Sequence, residues 1–516
     1  MMCADAWAVC LTGPKIDCKC YAFTKSPQMD KYLVPIVPLA DIPLDAPKDV
    51  ELSPIKKNPL ESLNAAQQLA YDAVLAEKSI FLTGPGGTGK SFLLNLLQEI
   101  PGRNVSLTAL TGCAATLLHS KAKTVHSWAG IGLGAEPAEV LISNLKKSRK
   151  AKKRWFETDI LVIDEVSMMT PELFEKLDKI GRRVRQNNEK PFGGMQLVLV
   201  GDFYQLPPVS KDQPTTFVFE SPLWKQLGLV THELTEIVRQ KDPIFQQVLN
   251  EARRGEMTRK SLKILSRRMG LDWKSEVIKP TMLFARRAQV DQINQSSLKK
   301  LDTERRTFKA ATVFDPKVST KGMRQGDPLV QAATDKLDKD AAYSAEFTVA
   351  IGAQVMLITN MYPDMGLVNG SRGVIIGYGT AAEKVSATEK TLAVPTDSEL
   401  LVPLVRFRNG TTLHIPYATW EVPDMPGVLR RQIPLKLAYA ITIHRAQGAT
   451  LDCALIDVGG NTFEYGQAYV ALSRARDLES LYIHDLDPAA FRAHPKVKEF
   501  YEASLRDSHI VSHSDS

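Results

Sequence analysis

The chain has 516 residues, more than one ordinary hydrophobic core organises, which predicts two or more domains. With 44% hydrophobic and 24% charged residues it resembles a globular protein, and no apolar run approaches the roughly 20 residues that cross a bilayer, which argues against a membrane-spanning protein. The formal net charge of +7 permits nucleic-acid binding, but we expect this excess to be spread over a large surface and to indicate little by itself.

The first 58 residues are rich in proline and show little periodicity, which predicts an N-terminal arm that is partly disordered. Four of the six cysteines lie in this arm: Cys3, Cys10, Cys18 and Cys20. A zinc site would place its cysteines in two close pairs, whereas here only Cys18 and Cys20 are close. We therefore expect reduced thiols, and neither a metal site nor a disulfide framework.

After the arm, short apolar runs alternate with polar or helical segments, as buried parallel strands do in α/β proteins. The clearest runs are 79–83, 105–108, 160–163 and 197–200. A similar series follows in the second half of the chain. The predicted organisation is the arm (1–58), a first α/β domain (59–250), a second α/β domain (251–500) and a disordered tail (501–516).

Two stretches of the second half depart from this alternation. Residues 371–430 contain short β-type runs joined by turns, which predicts a β-rich insertion in the second domain. Residues 309–343 contain many Asp, Lys and Gly, and we expect them to be irregular.

The segment that follows the first predicted strand matches the phosphate loop in full. Its residues are Gly84, Pro85, Gly86, Gly87, Thr88, Gly89, Lys90 and Ser91. The glycines let backbone N–H groups wrap the phosphates, and the N-terminus of the next helix adds a positive field. We expect Lys90 to reach the β- and γ-phosphates and Ser91 to hold Mg²⁺. The sequence therefore predicts a nucleoside triphosphate site.

The predicted strand at 160–163 is followed by two adjacent carboxylates, Asp164 and Glu165. We expect Asp164 to be the other magnesium anchor and Glu165 to position and deprotonate the attacking water. The predicted strand at 197–200 is followed by a polar segment that includes Gln205. Polar residues at this place lie beside the γ-phosphate in such folds, so Gln205 is a candidate sensor.

The ordered set of motifs resembles the petite-integration-frequency (Pif) family of superfamily-one, RecD-like 5′→3′ DNA helicases. The resemblance covers roughly residues 59–480. The most family-specific stretch is 178–197, within which 190–197 closely resembles the family's signature. The matching segments are 63–67, 84–91, 108–115, 124–130, 164–168, 190–197, 352–357, 367–370, 432–448 and 467–474. One departure is Arg445-Ala446, where several relatives carry Lys-Ser, so the basic charge survives and a hydroxyl is lost.

The resemblance implies two RecA-like P-loop domains with parallel sheets, a small insertion in the first at about 113–145 and an SH3-like β insertion in the second. It also assigns roles to residues. It implies that Gln67 reads the adenine and that Arg239 and Arg474 contact the γ-phosphate. Nucleotide binding extends to Gln447 and Tyr469. The implied DNA contacts are Thr111, Gly112, His126, Ser127, Thr442 and His444.

The activity implied by the resemblance is that of an ATP-dependent 5′→3′ DNA helicase with Mg²⁺ as cofactor. Its partners would be single-stranded and forked DNA, with G-quadruplexes and RNA–DNA hybrids as further substrates. It would act as a monomer, without a membrane, in replication, repair, recombination or telomere maintenance. The expected compartment is the nucleus, with the mitochondrion as the alternative.

Three other functions stay open from the sequence: an RNA helicase or RNA-dependent ATPase, a non-enzymatic DNA-binding scaffold with a decayed motor, and a P-loop kinase. Intact Lys90, Glu165 and Arg474 argue against the scaffold, and a kinase leaves the second domain unexplained. The basic run at 146–154 has two interpretations, a nuclear localisation signal or a solvated basic helix of the motor domain. We favour the helix, which could also touch duplex phosphates.

Overall fold

The structure, a computed structural model, describes residues 59–511 except for 119–121, 133, 209–213, 275–278, 317, 319, 321, 360, 363–364, 366, 368, 381–400, 423–424, 426 and 452. The predicted N-terminal arm, with its four cysteines, lies outside the described residues. Within them, every helix is too short or too polar to cross a membrane.

The first domain is built on a parallel sheet, as predicted. Its strands are β1 (Ile80–Thr83), β2 (Val105–Ala109), β3 (Lys123–Thr124), β4 (Ile160–Asp164), β5 (Gln196–Val200) and β6 (Val230–Glu233). They pair in the order β3-β2-β4-β5-β1-β6, parallel at each step. Helices cover both faces, so the central strands are almost continuously apolar. These helices are α1 (Ala65–Leu75), α2 (Lys90–Leu97), α3 (Gly112–Leu118), α4 (Val125–Ala129), α5 (Ala138–Lys147), α6 (Arg149–Glu157), α7 (Pro171–Val184) and α8 (Pro222–Gln226).

The second domain begins earlier than residue 251. Its first elements are α9 (Pro243–Arg254), α10 (Arg259–Ser266), β7 (Thr281–Phe284) and α11 (Arg287–Lys300). Phe245, Val248 and Leu249 of α9 are buried in the same hydrophobic core as Leu283 of β7. The core therefore takes in the whole of α9, and the chain crosses between the domains in the segment 234–242.

An antiparallel insertion follows, and it is longer than the predicted 371–430. It contains β8 (Arg305–Lys309), β9 (Ala311–Phe314), α12 (Pro328–Asp340), β10 (Glu346–Ala350), β11 (Gln354–Leu357), β12 (Arg372–Thr380), β13 (Leu401–Phe407), β14 (Thr412–His414), β15 (Ala418–Glu421), β16 (Val428–Gln432) and β17 (Leu435–Leu437). The strands form a five-stranded sheet in the order β14-β13-β12-β11-β17, a three-stranded sheet β15-β16-β9 and the pair β10-β8.

The expectation of irregular structure over 309–343 was wrong. Asp327 caps α12 by accepting a hydrogen bond from the Leu329 N–H, and Pro328 occupies the first turn, where its missing N–H costs nothing. Asp338 of α12 then pairs with Arg430 at 2.6 Å. The charged composition suggested a loop, but these charges cap the helix and fix it to β16.

The chain then returns to the parallel sheet of the second domain. The remaining elements are β18 (Ala440–Thr442), α13 (Ile443–Ala446), β19 (Ala454–Val458), α14 (Gln467–Leu472) and β20 (Leu481–Leu486). The sheet has the order β18-β7-β19-β20 and is parallel throughout. Two parallel α/β sheets with an insertion in the second confirm the predicted fold class.

The last helix, α15 (Pro495–Val511), packs on the first domain. Val497 and Tyr501 are buried there, and the ring of Phe500 stacks on that of Phe219 with centroids 4.3 Å apart. The tail was predicted to be disordered from residue 501, whereas α15 continues to Val511. Val497, Phe500 and Tyr501, at helical spacing, give the first turns of this helix a face that packs on the domain. Residues 512–516 lie outside the described part.

Candidate nucleotide site

The phosphate loop joins β1 to α2 and lies against the segment that crosses between the domains. Gly84 has a φ of +136°, and a Cβ on it would collide with the carbonyl oxygen of Leu234. Gly87 has a φ of +89°, and its Cβ would lie 2.7 Å from that of Arg239. Both positions therefore require glycine, for backbone conformation and for space.

Lys90 is the first residue of α2 and its ammonium group lies inside the loop. Its Nζ donates hydrogen bonds to the carbonyl oxygens of Gly84 at 2.6 Å and Pro85 at 2.8 Å. Burial lowers the pKa of Lys90 to about 8, although the negative charge of Asp202 opposes this shift. The cation is thus held where phosphate oxygens would compensate its lost hydration.

The two carboxylates lie where predicted, at the carboxyl end of β4. Asp164 accepts a hydrogen bond from the Glu165 N–H at 2.8 Å. Burial, together with the charge of Glu165, raises the pKa of Asp164. Burial likewise raises the pKa of Glu165, while the Gln447 hydrogen bond and Arg474 act against it. Glu165 also has a φ of +57°, rare for a residue with a side chain and frequent at functional sites.

The residues predicted to hold Mg²⁺ fit that ion. Ser91 and Asp164 line the same pocket and offer a hydroxyl and a carboxylate oxygen. Oxygen is the ligand type that Mg²⁺ prefers, and one or two protein ligands beside substrate phosphates are its usual coordination. The raised pKa of Asp164 also fits, because a nearby dication would stabilise the buried carboxylate in its charged form.

Two arginines from different parts of the chain meet at the pocket. Arg474, which follows α14, is 2% exposed and donates from Nη2 to Ser473 Oγ at 2.7 Å. Arg239 donates from Nη1 to the Ser473 carbonyl oxygen at 3.3 Å. Burial, together with the charge of Arg239, lowers the pKa of Arg474 to about 10. Two cations this close fit a site that binds several negative charges.

Tyr469 connects the second domain to the phosphate loop. Its hydroxyl accepts a hydrogen bond from the Gly86 N–H at 2.8 Å and lies 3.5 Å from Asp202 Oδ2. Asp202 is fully buried and forms an ion pair with Arg253 of α9 at 3.0 Å. Desolvation by burial and the charge of Asp202 raise the pKa of Tyr469, so the phenol stays protonated.

These groups enclose a pocket of about 320 Å³. Its lining residues are Gly86, Gly87, Gly89, Lys90, Ser91, Asp164, Glu165, Gln205, Val238, Arg239, Gly448 and Arg474. All five residues predicted to act in catalysis line it, and they come from both domains. Val238 and Gly448 also line it and were not predicted.

The other predicted nucleotide residues surround the pocket without lining it. Gln67 is 4% exposed; its Oε1 accepts the Asn64 N–H and its Nε2 donates to the Thr88 carbonyl oxygen at 3.3 Å. It therefore supports the phosphate loop from behind, and its contact with adenine stays a prediction. Gln447 reaches the site through its hydrogen bond to Glu165, and Tyr469 reaches it by accepting the Gly86 N–H.

Sequence reasoning missed Gln240, which is completely buried between the domains. Its Nε2 donates to the carbonyl oxygens of Ser473 at 3.4 Å and Ala475 at 3.0 Å, on either side of Arg474. Its Oε1 lies 2.9 Å from where a Cβ of Gly87 would be. Gln240 thus fixes the backbone on both sides of Arg474. The one signal for this role in the sequence is that Gln240 directly follows Arg239.

The predicted DNA contacts follow strand ends in both sheets. Thr111 directly precedes α3 and Gly112 begins it, after β2, while His126 and Ser127 lie in α4 after β3. Thr442 ends β18 and caps α13, the helix that contains His444. Burial lowers the pKa of both histidines. The structure thus puts these groups on the carboxyl side of their sheets, and their DNA contacts stay predictions.

Comparison with known proteins identifies relatives of the chain. Residues 62–262 match the PIF1-like helicase family model, and residues 344–378 match the model of the DNA helicase Pif1 2B domain. The chain is similar to the ATP-dependent DNA helicase PIF1 of Homo sapiens, with 39% identity over 89% of this chain and 67% of that protein. It is also similar to the ATP-dependent DNA helicase PIF1 of Danio rerio, with 36% identity over 90% of this chain and 69% of that protein.

Solved structures of Pif1 helicases are similar as well. The Candida albicans Pif1 structure has a TM-score of 0.70 and 34% identity, and the match covers 86% of this chain and 99% of that one. The Bacteroides Pif1 structure bound to single-stranded DNA has a TM-score of 0.61 and 28% identity, and the match covers 86% of this chain and 98% of that one.

Proposed function

The chain belongs to the PIF1-like helicase family, and we propose on this basis that it moves along single-stranded DNA in the 5′→3′ direction and separates the duplex ahead of it. Activity as an ATP-dependent DNA helicase follows from the family itself. One observation supports the motor most directly: the phosphate loop of the first domain and Arg474 of the second line one pocket. A cleft between two domains links nucleotide state to domain position.

In this proposal the phosphate loop binds ATP through its backbone N–H groups, and Lys90 neutralises charge on the β- and γ-phosphates. Ser91 and Asp164 would hold Mg²⁺, which would supply positive charge to stabilise the phosphates during hydrolysis. Gln205 lies in the same pocket and would sense the γ-phosphate. Val238 also lines the pocket. Its side chain is apolar, so its contact with the nucleotide would not be an electrostatic one.

Glu165 acts as the general base in this mechanism. The Gln447 amide orients its carboxylate by donating to Oε2 at 2.8 Å, which leaves the other oxygen to accept a proton from water. Arg239 and Arg474 then stabilise charge on the transferring phosphoryl group. Because Gln447 and Arg474 belong to the second domain, the catalytic arrangement is complete only when the domains are closed.

Closure and reopening would drive movement along the strand. Loss of the γ-phosphate removes the ligand that Arg474 and the phosphate loop share, so the balance shifts towards the open state. Thr111, Gly112, His126 and Ser127 would hold the DNA backbone on the first domain, and Thr442 and His444 on the second. Such contacts do not read sequence, which suits a translocating motor.

The finer assignments belong to the same proposal. We place the first domain at about 59–242, with a small insertion at about 113–145, and the second domain at about 243–494, with α15 returning to the first. The substrates are single-stranded and forked DNA, with G-quadruplexes and RNA–DNA hybrids included. The protein acts as a monomer in replication, repair, recombination or telomere maintenance, in the nucleus or, alternatively, the mitochondrion.

A strand-displacement assay with matched substrates tests the proposal. Duplexes carrying a 5′ tail, a 3′ tail or no tail would be mixed with ATP and Mg²⁺, and the same tails would be made in RNA. We expect unwinding of the 5′-tailed DNA alone. Equal opening of both tailed duplexes would refute the polarity, and stronger stimulation by RNA would favour an RNA helicase.

A further inference from the structure

One short segment of the chain has a large excess of positive charge. Residues 146–157 contain seven basic residues and one acidic residue, which is six of the seven net positive charges. The other 504 residues have a formal net charge of only +1. This segment is therefore a place on the molecule that can attract polyanions.

Most of these charges lie on α6, which is firmly anchored to the first domain. Ala151 and Trp155, four residues apart, are buried, and the indole N–H of Trp155 donates to the Ala129 carbonyl oxygen at 3.1 Å. The opposite face carries the exposed side chains of Arg149, Lys150, Lys152 and Lys153. We call this face, with the exposed Lys146 that precedes it, the basic helix.

Local contacts leave this charge almost uncompensated. Lys153 pairs with Glu157 at 3.5 Å, but both side chains are more than half exposed, and such pairs contribute little. Lys152 lies over the ring of Phe156 with 5.7 Å to the centroid, which keeps its ammonium in solvent. The basic helix therefore retains its charge for a ligand.

The basic helix is joined to a segment that we propose contacts DNA. Arg154 donates from Nε to the Trp128 carbonyl oxygen at 2.8 Å and from Nη2 to that of Ser127 at 3.1 Å. Ser127, in α4, is one of the residues that we propose to contact single-stranded DNA. A polyanion on the basic helix would thus lie next to the bound single strand.

We propose that the basic helix binds the phosphate backbone of duplex DNA that adjoins the bound single strand; this rests on the proposed function. A helix of nine residues is about 13 Å long, which equals the axial rise of about four base pairs of a duplex. Single-strand sites pair their charges with stacked aromatic rings, whereas the one exposed ring here, Phe156, lies under Lys152. The chemistry therefore favours duplex phosphates.

The test compares two triple variants of the full chain. One replaces Lys150, Lys152 and Lys153 by alanine. The matched control replaces Arg259, Lys260 and Lys263, three exposed cations on α10. Dissociation constants would be measured between about 50 and 200 mM salt for a 5′-tailed duplex and for its tail alone.

We expect the basic-helix variant to bind the tailed duplex more weakly, with the slope of log K against log salt reduced by roughly 2 to 3. Its affinity for the tail and its ATPase stimulated by single-stranded DNA stay at wild-type values, as do all properties of the control. If the wild-type ATPase ignored DNA, the proposed function would fail independently of this inference.

Three results would overturn the inference. An unchanged affinity and salt slope would make the basic helix a solvated surface. An equal loss of affinity for the tail alone and for the tailed duplex would show that the basic helix binds the single strand. Unchanged DNA binding with loss of nuclear accumulation of a fluorescent fusion would make it an import signal, recognised by a protein.

Discussion

Gln447 donates a hydrogen bond from its side-chain amide to Glu165 Oε2 at 2.8 Å, and the two residues belong to different domains. In the proposed mechanism, the general base is thus oriented by a residue that moves with the other domain. DNA bound to the second domain would then influence hydrolysis through this side chain.

Glu165→Gln should abolish hydrolysis while leaving nucleotide binding intact. The amide cannot take a proton from water, so we expect kcat to fall by roughly 10²–10⁴. ATPase assays and titration with a fluorescent nucleotide measure the two effects. Glu172→Gln, at an exposed carboxylate in the first turn of α7, is the control. Hydrolysis at the wild-type rate would remove Glu165 from the mechanism.

Gln447→Leu should uncouple ATP turnover from DNA. It removes the hydrogen bond that orients Glu165 but keeps the volume of the side chain, so we expect the stimulation by single-stranded DNA to fall about tenfold, as one lost bond to a charged group predicts. The basal rate should change less. Gln447→Glu should reduce stimulation further, because it puts a like charge against Glu165. An unchanged ratio of stimulated to basal rate would contradict this coupling.

Arg474→Lys should not preserve activity. Lysine retains the charge but lacks the planar fork, which here also holds the Val470 carbonyl oxygen at 2.9 Å. Arginines at this position of phosphoryl-transfer sites contribute about 10³–10⁵ in kcat, so a loss of at least 10²-fold is expected. Arg476→Lys, at an exposed arginine two residues on, is the control. Thermal melting separates loss of the fold from loss of chemistry.

Nucleotide affinity should fall as the pH rises through about 8, because the pKa of Lys90 is lowered to that value and the neutral amine no longer attracts phosphate. The effect on folding has the opposite sign. Above this pKa the folded chain has lost a proton that the unfolded chain keeps, so the free energy of unfolding rises with pH up to the ordinary lysine value. Affinity titrations from pH 6.5 to 9.5 test the first effect. Lys90→Arg, which stays charged, should bind with a flatter pH profile.

Tyr501→Phe should destabilise the first domain. The hydroxyl hydrogen-bonds to Thr83 at 2.6 Å and accepts the Phe203 N–H at 3.1 Å, so its loss leaves buried groups unsatisfied. We expect a loss of about 1–3 kcal/mol in the free energy of unfolding, measured with urea. Tyr465→Phe, whose ring packs on His494 at the second crossing, is the control. Equal stability of both variants would contradict the role of α15.

Local patterns sufficed for much of the site. The phosphate loop and the acidic pair are continuous segments next to apolar strands, so their spacing alone predicts the chemistry at Lys90, Asp164 and Glu165. Arg239 and Arg474 needed the family resemblance, because an isolated arginine has no distinguishing neighbours. The structure brings all five into one place.

Contacts between distant segments could not be predicted. Gln240 bonds to a carbonyl 233 residues away, and Tyr501 to a hydroxyl 418 residues away, and no periodicity encodes such pairs. The basic run at 146–154 was recognised from the sequence, whereas its anchoring to α4 through Arg154 and Trp155 was not, because those contacts span more than twenty residues. Helix α12 was missed because capping charges resemble those of a loop.

The return of α15 to the first domain means that the polypeptide passes between the lobes twice, at 234–242 and at 487–494. The first passage leads into α9, and the far end of α9 lies against the second passage, since a Cβ on Gly255 would lie 2.8 Å from the Ala493 nitrogen. A rotation about the line through both passages stretches neither of them, whereas sliding or separation strains both. The covalent path itself therefore gives the motor a fixed pivot, and a protein truncated before α15 would have only one tether and no defined axis.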